Sequence, residues 1–300
     1  MRPEKLSLEL PCPERFSLWS TVWSSGWAEL APFHADKESR ILVGVLEPGE
    51  GQVVKVKLRQ ERREEITALI ESKDAVSGEQ LADVQRQIET SLRLDEDFST
   101  FYRLLEEEPK FHWVLDKWAG RVFRSPTVYE DVVKTIISTN CRWVQTKAMA
   151  ERLCLKLGSR FNGSSAAFPK AERITEAGEA FLKKEIRAGY RAPYIADLAT
   201  KISSGELDVE RWRHSPLETD ALAAEIRGLR GVGEWSTKNI LQLVNRYDQL
   251  AIDSWVRKQF SEIHNKGDPV SEKEIEEHYE RFGRWRGLVL WLDVVKQYLA

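Results

Sequence analysis

The chain has 300 residues, 42% of them hydrophobic and 31% charged, with a formal net charge of −3. That composition suits a folded chain with enough material for a sizeable core, and its mild acidity argues against a nonspecific nucleic-acid coat while leaving room for a local basic site. No apolar run approaches the roughly 20 residues needed to span a bilayer, and Cys12, Cys141 and Cys154 are too few and too scattered for a disulfide framework or a zinc ribbon.

Residues 1–5 lead into alternation and not into an apolar signal core, so export is not expected. A cytoplasmic location (nuclear in a eukaryote), without membrane or metal, is the expectation. Leu6, Leu8 and Leu10 alternate with polar residues at period two, and residues 41–46 form a buried-strand run. Residues 47–51, with Pro48, Gly49 and Gly51, supply turn chemistry before a second alternating run over 53–58. Residues 65–70 fit a fourth strand or a short helix, and Ser77-Gly78 marks a break.

Helical spacing follows. Leu81, Val84, Ile88, Leu92 and Leu94 trace one apolar face, and Phe101, Leu104 and Leu105 continue in the next helix. Ser125-Pro126-Thr127 opens a helix through Val132, Val133, Ile136 and Ile137, and another carries Met149, Leu153 and Leu157. Pro193 suits the first turn of a further helix, and residues 285–299 form the last one. The pattern predicts an α+β chain: a small N-terminal antiparallel β domain over residues 1–76, then a mainly α-helical domain over 77–300.

Residues 228–241 read Gly-Leu-Arg-Gly-Val-Gly-Glu-Trp-Ser-Thr-Lys-Asn-Ile-Leu. A helix ends near Gly228, a tight turn uses Gly231 and Gly233 around Val232, and a new helix starts near Trp235. Glycine permits positive φ and a close approach of backbone to another surface, and the N–H groups opening the second helix suit a phosphate. Twenty residues beyond Gly233, Asp253 stands where it would cap a helix beginning at Ser254.

Hairpin, helix and capping Asp, in that order, resemble the signature of the helix-hairpin-helix (HhH-GPD) DNA glycosylases, with the hairpin over about residues 219–246. Four more segments line up with that family: residues 94–102, 136–141, 189–195 (Gly-Tyr-Arg-Ala-Pro-Tyr-Ile) and 282–287 (Phe-Gly-Arg-Trp-Arg-Gly). The last is similar to a terminal motif of the 3-methyladenine (alkylbase) branch, while other segments also resemble the 8-oxoguanine branch. The carboxy-terminal region contains no cysteine, so the iron–sulfur loop of endonuclease III relatives is absent.

The resemblance implies base excision repair on double-stranded DNA carrying a damaged base, by a protein acting as a monomer. The damaged nucleotide is flipped out of the stack, and Asn140 stands where the family places the side chain that fills the gap. Asp253 stands where a carboxylate supports the oxocarbenium-like sugar as the N-glycosidic bond breaks. Gly231, Val232, Gly233, Trp235 and Lys238 are the DNA-contact candidates. Trp235, Trp143 and Trp255 are candidates for the base pocket, where an indole would stack on a cationic alkylated purine.

Further basic candidates are Arg142, Lys147, Arg191, Arg230, Arg257 and Lys258. The resemblance places the Schiff-base lysine of the lyase branches in the helix ahead of the hairpin, where Ala224 stands instead, so a monofunctional enzyme without an organic cofactor is expected. A monovalent cation on the hairpin carbonyls is part of the family pattern. Each residue also has a plainer reading: Asn140 closing a turn, Asp253 only capping, the tryptophans only packing. Removal of oxidised or deaminated bases, or lesion sensing without catalysis, fits the same segments.

Overall fold

The computed structural model describes residues 4–49 and 51–299. Residues 1–3 of the amino-terminal stretch and Glu50 of the expected turn lie outside the described residues. The elements in chain order are β1 (Glu4–Pro11), α1 (Leu18–Val22), β2 (His34–Asp36), β3 (Ile41–Leu46), β4 (Val54–Arg62), β5 (Glu65–Ser72), α2 (Gly78–Leu92), α3 (Ser99–Glu106) and α4 (His112–Asp116). They continue with α5 (Val128–Ser138), α6 (Trp143–Leu157), α7 (Ala171–Phe181), α8 (Ala192–Ser203), α9 (Thr219–Arg227), α10 (Glu234–Leu243), α11 (Ser254–His264), α12 (Glu272–Tyr279) and α13 (Arg286–Leu299).

The five strands form one sheet in the order β1-β5-β4-β3-β2, with every neighbouring pair antiparallel. Residues 65–70, which fit strand or helix by pattern, belong to a strand. Ile66, Ala68 and Ile70 are all buried, the period-two signature of a half-buried strand. Register sets Val56 opposite Ile70 and Leu58 opposite Ala68, which gathers the apolar residues on one face. On the other face Lys57 Nζ reaches Glu71 Oε1 at 2.9 Å. The run expected over 53–58 extends to Arg62, with a register shift between Arg59 and Arg62. Pattern reading passed over β2, whose three residues His34-Ala35-Asp36 are too few and too polar to show a period, and which closes one edge of the sheet.

The break at Ser77-Gly78 is a helix start. Ser77 Oγ accepts from Gln80 N–H while Gln80 Oε1 accepts from Ser77 N–H, a reciprocal cap that satisfies two orphan amides. Strand gives way to helix between Ser72 and Gly78, yet compactness follows another line. One unit comprises Met1–Glu96 and Arg121–Glu210, the other Asp97–Gly120 and Arg211–Ala300. Buried polar bonds tie the amino-terminal segment to α5 and the loop before it: Trp27 Nε1 donates to Asp131 Oδ1 at 2.9 Å, and Phe123 N–H donates to Ser24 Oγ at 2.9 Å.

In the second unit, Phe98 and Phe101 pack against Trp285, with ring centroids 5.6 and 5.1 Å apart, and Tyr247 stacks on the same indole at 5.3 Å. Residues 94–102 and 282–287, singled out separately in the sequence, thus meet in one aromatic cluster. Nearby on α13, the buried carboxylate of Asp293 receives three donors on Oδ2: Lys110 Nζ at 2.6 Å, His264 Nε2 at 2.9 Å and Tyr279 OH at 2.7 Å. Burial pushes the Asp293 carboxyl up, but these hydrogen bonds and the Lys110 charge outweigh it and hold the group at about 2, below its ordinary 3.8.

A depressed folded-state value stabilises the fold above the unfolded value, and the benefit disappears as pH falls through the folded one. The contribution is on the order of 2 kcal/mol. Asp293→Asn should therefore be less stable than wild type in urea unfolding at pH 7. The gap should narrow as pH drops from about 4 toward 2, and a gap constant over that window would refute the assignment.

Candidate active site

The hairpin lies wholly in the second unit. After α9 the chain turns through two short bonds, Leu229 N–H to Ile226 O and Val232 N–H to Leu229 O, both 3.1 Å. The two reasons for glycine separate here. Gly231 has φ +82°, the left-handed region that costs another residue about 1–2 kcal/mol. Gly233 is extended (φ −93°, ψ −170°), and a Cβ there would meet nothing within 4 Å. Its small size is not required by the turn and leaves an uncovered backbone face. Between them Val232 is buried and anchors the tip.

Gly233 is also the N-cap of α10, with no side-chain cap. The amides of the first turn therefore lack an intrahelical acceptor and carry the positive end of the helix dipole. The Gly233 carbonyl, by contrast, is used twice, accepting from Thr237 N–H and Thr237 Oγ1 at 2.9 Å each. Trp235, one residue into the helix, is half-buried.

From α10 a loop leads to Asp253. Three contacts hold it: Arg286 Nε donates to Asp248 O at 2.5 Å, Gly287 N–H donates to Tyr247 O at 2.7 Å, and Thr219 Oγ1 donates to Asp248 Oδ1 at 3.0 Å. A Cβ on Gly287 would sit 2.2 Å from Gln249 O, so only glycine permits this approach. Asp253 is the N-cap of α11, its Oδ1 accepting from Val256 N–H at 2.8 Å. Its side chain is half-buried, between buried Ile252 and exposed Ser254. Capping takes one carboxylate oxygen and fixes the rotamer, and among the described residues no hydrogen bond reaches the other.

Glu272, at the start of α12, ties the hairpin to the Asp253 helix. Its Oε1 lies 3.4 Å from Lys238 Nζ on α10, and its Oε2 lies 3.3 Å from Arg257 NH2 on α11. No sequence signal singles out Glu272, one of several acids in a polar stretch. Lys238 also pairs with Glu234 Oε1 at 3.0 Å, so the lysine expected beside a phosphate is held between two carboxylates. Glu234 in turn is kept below the usual carboxylate range by the hydrogen bond and charge of Lys238.

Asn140 lies in the first unit, just beyond α5. Glu210 accepts from the first two amides of that helix, Val128 and Tyr129 N–H, at 2.9 Å each. At its other end Asn140 takes a left-handed φ of 46° and is exposed, as expected of a residue at a turn tip. Asn140 Nδ2 donates to Tyr190 OH at 3.3 Å. Tyr190 is 52% exposed, and the Arg191 guanidinium lies 4.5 Å from its ring centroid. Burial alone would raise the Tyr190 hydroxyl, but hydrogen bonds with Thr139 and Asn140 and the Arg191 charge bring it below its usual range. Asn140 and Tyr190 thus form one exposed pair, carried by two of the segments that resemble the family.

The basic candidates are largely engaged. Arg191 is buried and grips Thr139 O through Nε at 3.1 Å and through NH2, so it shapes the Asn140 turn instead of lying free on a surface. Lys147 pairs with Glu29 at 3.0 Å, Arg257 with Glu272, and Lys258 with Glu262 at 3.7 Å. Two of the pocket candidates pack on neighbours in their own unit. Trp143, in the first unit, lies over the backbone of Gly26, where a Cβ would be 2.3 Å from its ring, and its Nε1 donates to Glu29 Oε2 at 3.3 Å. Trp255 packs against Trp291, with centroids 6.0 Å apart. Trp235 remains as the indole next to the hairpin amides in sequence and in the same unit as Asp253.

The 3-methyladenine DNA-glycosylase from Archaeoglobus fulgidus superposes with a TM-score of 0.76 at 19% identity, covering 97% of this chain and 98% of that one. An 8-oxoguanine glycosylase/lyase from Clostridium acetobutylicum, in complex with double-stranded DNA, gives 0.72 at 22% identity, covering 99% and 98%. These likenesses establish a shared fold. A curated relative, the probable N-glycosylase/DNA lyase of Methanothermobacter thermautotrophicus, is 27% identical over 205 residues, 60% of this chain. The chain spans 64% of that relative's length. No helix among the described residues is long and apolar enough to cross a membrane. Residues 133–284, half of the chain, match the model of the HhH-GPD superfamily base excision DNA repair protein, a stretch that includes Asn140, Tyr190, the Gly231–Gly233 turn and Asp253. The chain belongs to the HhH-GPD superfamily of base excision DNA repair proteins.

Proposed function

We propose that this protein is a monofunctional DNA glycosylase, acting as a monomer on duplex DNA, that hydrolyses the N-glycosidic bond of an alkylated purine. The observation that carries this reading is Asp253. Its carboxylate is fixed by one bond to Val256 N–H, remains partly accessible, and ends a loop in the unit that presents the hairpin amides.

The uncapped amides at Gly233 and the start of α10 hold a backbone phosphate without reading sequence. Extruding the damaged nucleotide costs a few kcal/mol, least where pairing is already weakened, and Asn140 with Tyr190 fills the vacated stack. As the bond to the base lengthens, positive charge grows on the sugar and the Asp253 carboxylate stabilises it, orienting the incoming water. Trp235 offers an indole face to a cationic alkylated base. Backbone carbonyls of the Gly231–Gly233 turn would hold a hard monovalent cation, which would supply positive charge toward a phosphate.

Absence of lyase chemistry rests on the amines available. Within α9, the turn and α10, Lys238 is the sole lysine, and its ammonium is committed to Glu234 and Glu272. A second reading, excision of an oxidised base with strand cleavage, is favoured by the naming of the Methanothermobacter relative as an N-glycosylase/DNA lyase.

Incubation with methylated, oxidised and deaminated duplexes, followed by identification of the freed bases, separates the two. Release of methylated purines, with strand breaks only after alkali, is the expected result. Breaks without alkali and a borohydride-trapped complex would establish the second reading, and binding without release of any base would mean lesion sensing. Gly233→Ala should fold normally, since its Cβ meets no neighbour, yet bind damaged and undamaged duplex equally less well, by about tenfold. Unchanged affinity would remove the hairpin from DNA contact.

A further inference from the structure

Away from the hairpin, the ends of α11 and α12 and the middle of α13 bring together a set of groups that base excision does not use. We propose that His264, His278 and Asp293 form a binding site for a divalent transition-metal ion, with Lys110 occupying the place of the cation in its absence. The ligand atoms of these three residues all lie within 4.8 Å of one another. They come from three helices of one compact unit: His264 ends α11, His278 is in the last turn of α12, and Asp293 is in α13.

The arrangement of Lys110 carries the argument. Its Nζ lies 2.6 Å from Asp293 Oδ2 and 3.0 Å from His264 Nε2, while His264 Nε2 itself lies 2.9 Å from the same Oδ2. The two contacts of His264 make opposite demands on one atom. Donation to Asp293 requires a proton on Nε2, whereas acceptance from Lys110 requires a lone pair there. A metal ion in place of the ammonium resolves the conflict, because carboxylate oxygen and imidazole nitrogen then both present lone pairs to one cation.

Lys110 is free to leave: its side chain is 40% exposed, whereas that of Asp293 is 3% exposed. Tyr279 OH, 2.7 Å from Asp293 Oδ2, orients the carboxylate, and the Phe260 ring packs against both imidazoles at 4.6 and 5.2 Å between centroids. Such a hydrogen-bonded, packed surround is what fixes ligand direction in metal sites. Tetrahedral coordination by N and O at 2.0–2.2 Å sets ligand atoms about 3.3–3.5 Å apart. Exposed His278 must therefore swing inward by a small rotation. Two imidazoles and one carboxylate select zinc, cobalt or nickel over magnesium or calcium, and the fourth position is left to water. Bound there, the ion would join three helices, one of which is capped by Asp253.

Cobalt(II) reports occupancy directly through its visible d–d absorption. Wild-type protein titrated with cobalt should give one tetrahedral spectrum per chain, displaced by zinc, and zinc should raise the unfolding temperature. His278→Gln, an exposed change that leaves the fold intact, should abolish the band. Lys110→Met, by removing the competing charge, should tighten cobalt binding by about tenfold. Absence of the band in both wild type and Lys110→Met would overturn the proposal. So would a band that survives in the His264→Gln/His278→Gln protein and vanishes on blocking Cys12, Cys141 and Cys154, since the ion would then sit on thiolates.

Discussion

Asp253→Asn should lower base release by about 100- to 1000-fold, the usual cost of removing a charge-stabilising group from a transition state, and leave stability and DNA affinity nearly unchanged. Asparagine caps helices as well as aspartate does, so the bond from Val256 N–H survives the exchange through the amide oxygen. Only the negative charge is lost. Asp253→Ala loses the cap as well, and should cost about 1 kcal/mol of stability beyond its catalytic defect. Single-turnover base release, urea unfolding and equilibrium DNA binding, run on all three proteins, separate the two roles. If Asp253→Asn released base at the wild-type rate, Asp253 would be a cap and nothing more. If it lost binding and release in equal measure, its role would be to shape the DNA-contacting surface.

Gly287→Ala is expected to be the most damaging single methyl in the second unit. The added Cβ would stand 2.2 Å from Gln249 O and 2.8 Å from Tyr247 O. Both are backbone atoms of the loop that leads to Asp253 and cannot yield as a flexible side chain would. Overpacking of this kind costs about 1–3 kcal/mol, and the strain is relieved by moving the loop or the start of α13. Either movement weakens the bonds from Gly287 N–H to Tyr247 O and from Gln242 Nε2 to Gly287 O. The variant should therefore lose base release more than its lowered stability explains, even at temperatures where it is fully folded. Full activity together with wild-type stability would show that the loop tolerates displacement and that Gly287 does not position the carboxylate.

The hairpin was legible in the sequence because its geometry is written in local chemistry. Gly231 must adopt positive φ, Val232 must anchor the tip, and a helix must begin at once, all within a few residues. The capping position of Asp253 was legible for the same reason, as was the sheet-then-helices order, since period two and period 3.6 are local properties. β2 was not, because three residues carry no period.

Charge partners are what a sequence cannot show. Lys238, Arg191, Lys147 and Arg257 read only as basic candidates near a DNA face. Glu234 and Glu272, the Thr139 carbonyl and Glu29 are their partners in the fold, and apart from Glu234, one helical turn from Lys238, those partners are remote in sequence. The same holds for Trp143 and Trp255, because eleven tryptophans cannot be sorted into packing and recognition without knowing what each ring touches.

The sequence by itself determined the turn at Gly231–Gly233, the cap at Asp253 and the order of strands and helices, all of which arise from backbone preferences acting over a few residues. Tertiary structure alone decided that Glu272 links the hairpin helix to the Asp253 helix, that Tyr190 stands beside Asn140, and that Lys110, His264, His278 and Asp293 converge. Each of these depends on segments 15 to 183 residues apart, brought together by burying apolar faces that many other sequences could bury equally well. Burial is indifferent to which polar groups it carries along, so their meetings follow from the completed fold and not from any local pattern.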